Sequence, residues 1–248
     1  MECAREKKDL AAEYEKEQKL LKKASAEETP VWRSPKHQSL CQLIGGLEKS
    51  GVAKVQKLHK DSHVQVALVG QARQNHLMLR LYDPRHDFKG YVPSIVDGGP
   101  ASCALPSIPE VTFNISYIPT SLEEEYSKIR TELVYAKAAV ILLCFSLHDR
   151  SSLECASQRL SPELRAKIPD VPIILVGTEL HKRAIYEDTI STEEGIELAT
   201  KLNAAAYIEC SGKYNKNMRQ LQDELVLVLL GRNKHIHKLR TKKKHLFF

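Results

Sequence analysis

The chain has 248 residues, 42% hydrophobic and 27% charged, with a formal net charge of +6. That is enough for one substantial core with appendages at both ends. No apolar run reaches the roughly 18 residues of a membrane span, and MECAREKKDL is too charged for a secretory signal, so a cytoplasmic protein is expected.

Residues 1–30 are expected to form a charged helix. The stretch lacks Gly, is rich in Lys, Glu, Ala and Leu, and pairs Glu15 with Lys19 at helical spacing until Pro30 ends it. Residues 31–62 are expected to be a linker with a short helix: Val31 to His37 carries the only tryptophan, Trp32, which is either an anchor for a partner or, the favoured reading, a lid on the domain's own core. Ser39 to Leu58 has a helical apolar period broken by Gly45 and Gly46. Residues 63–231 alternate apolar runs with amphipathic segments. Strands are predicted at 64–69, 111–118, 138–145, 172–176 and 206–209, and helices at 76–83, 151–167, 192–203 and 216–230. Continuous apolar strands separated by helices predict a doubly wound α/β fold with a mostly parallel sheet covered on both faces. Gly90 to Glu110, with four prolines and a Gly-Gly, is expected to give at best an edge strand. Residues 232–248 form a basic tail.

The stretch His63 to Met78, HVQVALVGQARQNHLM, has the strand, tight loop and helix of a phosphate-binding loop. Against G-x-x-x-x-G-K-[ST], only Gly70 is kept. Asn75 stands at the second glycine, His76 at the lysine and Leu77 at the Mg²⁺-binding hydroxyl. The frame survives without its chemistry.

Further along, YVPS (Tyr91, Val92, Pro93, Ser94), EEEYSKIR (Glu123 to Arg130), AAVILLCFSLHDRSSLE (Ala138 to Glu154), VPIILVGTEL (Val171 to Leu180) and YIECSG (Tyr207 to Gly212) follow in order. From His63 to Leu230 the chain resembles the small GTPases of the Ras superfamily, and the Rho subfamily in particular. The resemblance implies a P-loop NTPase-like small GTPase fold and a pocket for guanine nucleotide and Mg²⁺. Carried over position by position, it also implies a loss of chemistry. His76 replaces the phosphate-neutralising lysine and Leu77 cannot ligate Mg²⁺. Ser94 keeps the γ-phosphate-sensing position in kind. Pro119 takes the place of the Asp that supports Mg²⁺, Leu122 that of the Gly whose N–H meets the γ phosphate, and Glu123 that of the Gln that orients water. In the guanine-reading segment Thr178 is kept, while Glu179 replaces the Lys that packs along the base and His181 the Asp that accepts from it. Ser211, Gly212 and Lys213 keep the loop that meets the base through its backbone. Four lost charge-assisted contacts at about 1.5–3 kcal/mol each remove roughly 6–12 kcal/mol, enough to erase very tight binding.

The expected function is therefore that of a Rho-like pseudo-GTPase, a non-catalytic interaction or signalling module with no cofactor. The alternatives are a divergent GTP-binding protein with weakly bound GTP or GDP, and an adaptor to anionic membrane or nucleic acid through residues 232–244. A protein partner is expected at the switch-like face (Tyr91, Val92, Pro93, Ser94, Glu125, Tyr126, Arg130) or at the N-terminal helix. The Rho insert helix is missing between His181 and Ser191. The ending KLRTKKKHLFF lacks a C-a-a-X cysteine, so no prenyl anchor is expected. His235 and His237 are a weak metal signal, and no metal is expected. Glu123 to Glu125 fit a helix start better than catalysis. Cys144 and Cys210, within apolar strands, read as buried and inert.

Overall fold

The structure, a computed structural model, describes residues 29–45, 63–70, 75–86, 88, 100–105, 108–119, 128 and 130–231. The stretch expected to form the N-terminal charged helix, apart from Thr29 and Pro30, the switch-like residues Tyr91 to Ser94 and Leu122 to Tyr126, and residues 232–248 lie outside these residues. In chain order the elements are β1 (Trp32–Arg33), α1 (Pro35–Gly45), β2 (His63–Val69), α2 (Asn75–Tyr82), β3 (Pro100–Leu105), β4 (Ile108–Pro119), β5 (Ala138–Ser146), α3 (Arg150–Glu154), α4 (Ser161–Lys167), β6 (Ile173–Thr178), α5 (Thr192–Lys201), β7 (Ala206–Glu209) and α6 (Met218–Gly231).

The sheet runs β1-β7-β6-β5-β2-β4-β3. Its inner five strands are parallel, and β1 and β3 close the two edges antiparallel. The interior strands read as unbroken apolar runs because both their faces are covered. In β5, AAVILLCFS, every residue except Ala139 is buried. One face packs Val66, Leu68, Val140, Leu142 and Val176 against α2 and α6, and the other packs Ala67, Ile141, Leu143, Phe145 and Leu175 against α3, α4 and α5. Each fully buried Val, Leu or Ile contributes about 1.5–3 kcal/mol, so this two-sided core is the main source of stability. The doubly wound α/β fold expected from the sequence is the one observed.

Several boundaries differ from expectation, each for a local reason. The helix expected over 151–167 is interrupted by a π-helical stretch, Cys155–Leu160. Pro162 follows it, and a proline there lacks an N–H and crowds the carbonyl four residues back, so the wider turn precedes it. The helix expected from 216 starts at Met218, because an isolated bridge between Ser211 and Lys216 and left-handed Asn215 and Asn217 hold a tight loop first. The helix expected to run to 203 ends at Lys201, with Asn203 left-handed at φ 49° just beyond.

Helix α5 starts with a complete capping box. The Ser191 hydroxyl accepts from the Glu194 N–H (3.2 Å), and the Glu194 carboxylate accepts from the Ser191 N–H (2.9 Å). Two otherwise orphaned helix-end donors are thereby satisfied. Ser191→Ala is expected to lower the unfolding free energy by about 1 kcal/mol, read from urea denaturation.

The largest correction concerns the expected linker. Trp32 and Arg33 are a strand paired with Tyr207 and Ala206, and α1 begins at Pro35 rather than near Ser39. Pro35 has no N–H to lose at a first helical position. Trp32 packs partly buried against the core beside α5, as a lid would. Arg33 and His37 reach Glu224 on α6, which is 2% exposed: Arg33 Nε donates to its Oε1 at 2.9 Å, and His37 Nε2 lies 2.8 Å from its Oε2. Burial alone would raise the Glu224 carboxyl, but His37 and Arg33 outweigh it and hold the carboxyl below its usual range. A depressed carboxylate contributes stability that is complete above the unfolded value of about 4.3 and is lost as pH falls through the lower folded value. Below about pH 4.3, wild type should therefore lose stability more steeply than Glu224→Gln, measured by urea denaturation across pH.

Candidate functional site

The pocket implied by the sequence lies at the carboxyl ends of the parallel strands, where open α/β sheets bind ligands. Gly70 follows β2, Thr178 ends β6, and Cys210 to Lys213 follow β7. His76, Leu77, Thr178, Glu179, His181, Ser211 and Gly212 do converge there, joined by Cys210. They surround a cavity of about 10 Å³, room for about one water molecule.

Each of these side chains is engaged with the protein itself. Leu77 is 2% exposed and belongs to the core under α2. The ring of His76, on the first turn of α2, stands edge-on to Phe88 at 5.1 Å. Thr178 Oγ1 donates to the Phe145 carbonyl at 3.0 Å, tying β6 to β5. Glu179 is left-handed (φ 59°), accepts from the Ser146 hydroxyl at 2.7 Å, and pairs with Lys182 at 3.1 Å. Burial opposes ionisation of Glu179, but Ser146 and Lys182 together hold its carboxyl below the usual range. His181 is buried: its Nδ1 lies 2.9 Å from Ser211 Oγ, and its ring meets the edge of Tyr214 at 4.9 Å. Where the resemblance places a base-accepting carboxylate, the chain places an imidazole turned onto its own loop.

Two glycines explain how closely the loops approach. A Cβ on Gly212 would lie 2.3 Å from the His76 carbonyl oxygen and 2.7 Å from the Leu77 nitrogen. The loop after β7 thus rests backbone to backbone on the first turn of α2. The YLECSA pattern of the family has alanine at this position, and YIECSG has glycine. Gly70, with φ 153°, would carry a Cβ 2.0 Å from the Cys144 carbonyl oxygen. The one glycine kept from the phosphate-loop pattern is therefore required by the packing of β2 on β5, whatever the loop binds.

Two residues to which the sequence motifs give no role hold this arrangement: Arg80, outside them, and Glu209, within YIECSG. Arg80 is 7% exposed on α2; its Nε donates to the Gly212 carbonyl (2.9 Å), Nη1 to that of Pro84 (2.7 Å) and Nη2 to that of Lys213 (3.4 Å). Its guanidinium also stacks over Phe88 at 4.7 Å. Burial lowers its pKa, yet an arginine stays charged, and three carbonyls supply the acceptors it needs. The signal for Arg80 was an arginine at helical spacing i+3 from Leu77, on the face that also buries Leu81. Glu209, at the end of β7, is buried with both oxygens bound by Arg183, and Oε1 also accepts from the Tyr207 hydroxyl at 2.7 Å. Arg183 further donates to the Ile190 carbonyl (2.6 Å), so it fastens the short connection between His181 and Ser191.

The remaining sequence candidates stand at the ends of elements, in the core, or outside the described residues. Asn75 opens α2, Pro119 ends β4 opposite Leu68, and Arg130 opens a π-helical turn, Arg130–Val134. Ser94, Leu122, Glu123 and the other switch-like residues lie outside the described residues, as do His235 and His237. Cys144 and Cys210 are buried, and desolvation raises both thiols, Cys210 to about 12, which accords with inert packing. No helix among the described residues is long and apolar enough to cross a membrane. The Ras family model matches residues 77–230, more than half of the chain.

Proposed function

We propose that this chain, which belongs to the Ras family, is a Rho-like pseudo-GTPase that neither hydrolyses nor retains guanine nucleotide and works as a protein-interaction module. The observation that carries the reading is the small cavity, about 10 Å³, left among the described residues where the resemblance places the guanine base. The loop after β7 is clamped by Arg80 onto the first turn of α2, and Gly212 permits a contact that an alanine would block. The donor set supports it as well. Leu77 is committed to the core, and Glu179 and His181 are turned onto Ser146, Lys182 and Ser211, so these residues do not fit a guanine base or Mg²⁺. The Rho assignment rests on YVPS, VPIILVGTEL and YIECSG.

A domain without a γ phosphate has lost the usual means of ordering its switch segments. The reading therefore assigns the switch-like face, around Tyr91 to Ser94 and Glu125 to Arg130, to a protein partner, and leaves turnover to other members of the family. Single-turnover phosphate release from GTP tests the catalytic half. Mg²⁺-dependent release should not exceed the protein-free blank, and release that rises with enzyme concentration would contradict the proposal.

A further inference from the structure

We propose that His37, Cys41 and Glu224 form a binding site for one divalent transition-metal ion of the Zn²⁺ class, which staples the β1–α1 segment onto α6. His37 and Cys41 are four residues apart on α1, so they share one helix face, and that face meets Glu224 on α6. One donor atom from each (imidazole nitrogen, Sγ, carboxylate oxygen) lies within 4.8 Å of the other two. Zn²⁺ takes such donors at about 2.0–2.3 Å, so it could sit among them after modest side-chain movement. Nitrogen, thiolate and carboxylate together suit Zn²⁺ better than Ca²⁺ or Mg²⁺, which prefer oxygen.

The surroundings resemble a metal site's supporting groups. Arg33 occupies Oε1 of Glu224, which orients the carboxylate and leaves Oε2 facing His37. The Ser34 hydroxyl accepts from the His37 N–H at 3.4 Å, near the limit for such a bond, at the start of α1. His37 and Glu224 are buried while Cys41 is half-buried, which gives an ion a route from solvent. Without metal, Glu224 pairs with Arg33 through Oε1 and meets the His37 ring through Oε2, so the carboxylate keeps partners when the site is empty, and the ion replaces one polar contact with three bonds. Binding breaks the His37–Glu224 contact and forms Zn–N, Zn–S and Zn–O bonds; His37 ligates as the neutral ring through a nitrogen that carries no proton, any imidazolium proton leaves to solvent, and the Cys41 thiol proton leaves with it. Burial, then the Glu224 charge, push that thiol up to about 11, and coordination is what removes its proton.

The test uses the full chain, stripped by chelation and titrated with Zn²⁺ against a chromogenic chelator. One ion per chain with a sub-micromolar dissociation constant is expected, weakened by about 100-fold in Cys41→Ala and in His37→Ala. With Co²⁺ as the probe, a thiolate charge-transfer band should appear in wild type and vanish in Cys41→Ala. Should His37→Ala unfold, Cys41→Ala alone decides, since it leaves the Arg33–Glu224 pair intact. No ion bound at about 10 µM free Zn²⁺, or wild-type affinity in Cys41→Ala, overturns the proposal.

Discussion

Gly70→Ala is expected to destabilise the protein by about 3–5 kcal/mol, a large effect for the addition of one methyl group. Two costs combine. The backbone there (φ 153°) is one that an L side chain rarely adopts, and the new Cβ would lie 2.0 Å from the carbonyl oxygen of Cys144. That oxygen belongs to the backbone of β5 in the middle of the sheet, so no flexible side chain can swing away. The alternative origin for this glycine, an approach to phosphate, predicts a different result: the nucleotide-free protein would tolerate alanine and only ligand affinity would suffer. Urea denaturation without nucleotide separates the two. A change of under about 0.5 kcal/mol would show that Gly70 is not held by β5.

Arg183→Ala should cost about 3–5 kcal/mol, because it strands a buried carboxylate. Glu209 is 2% exposed, both its oxygens are met by Arg183, and the Tyr207 hydroxyl alone would remain to it. The same substitution frees the Ile190 carbonyl and loosens the connection before α5. The double variant Arg183→Met with Glu209→Met should recover most of the loss, since replacing a whole buried pair by apolar groups costs far less than breaking it. Equal stability of the single and double variants, by urea denaturation, would refute the stranded-charge explanation.

The fold was legible wherever the pattern was local. Strands such as ILLCF and IILVG announce themselves as continuous apolar runs, and the helix expected from 192 begins at Thr192. What the sequence hid was pairing at a distance. β1 has two residues and no periodicity of its own; it is a strand only because Trp32 and Arg33 find the open edge of β7. The attachment of α1 depends on Glu224, 187 residues from His37, and no spacing rule connects them. The candidate site shows the same division. The motifs named His76, Leu77, Thr178, Glu179, His181, Ser211 and Gly212, and these residues line one small cavity together with Cys210. The motifs do not say what holds these loops together. That is done by Arg80 across three carbonyls and by a glycine whose missing Cβ lets two loops touch.

The proposal that the chain retains no guanine nucleotide is most directly tested by the nucleotide content and affinity of the purified chain. Protein is denatured and its supernatant separated for GDP and GTP, and the native protein is titrated with fluorescent guanine nucleotide in Mg²⁺ and in EDTA. A closed site predicts less than stoichiometric release by a wide margin, and no saturable binding up to about 100 µM. Stoichiometric GDP in the supernatant, or tight binding lost in EDTA, would contradict the account and mean that His76, Leu77, Glu179 and His181 rearrange into a working pocket.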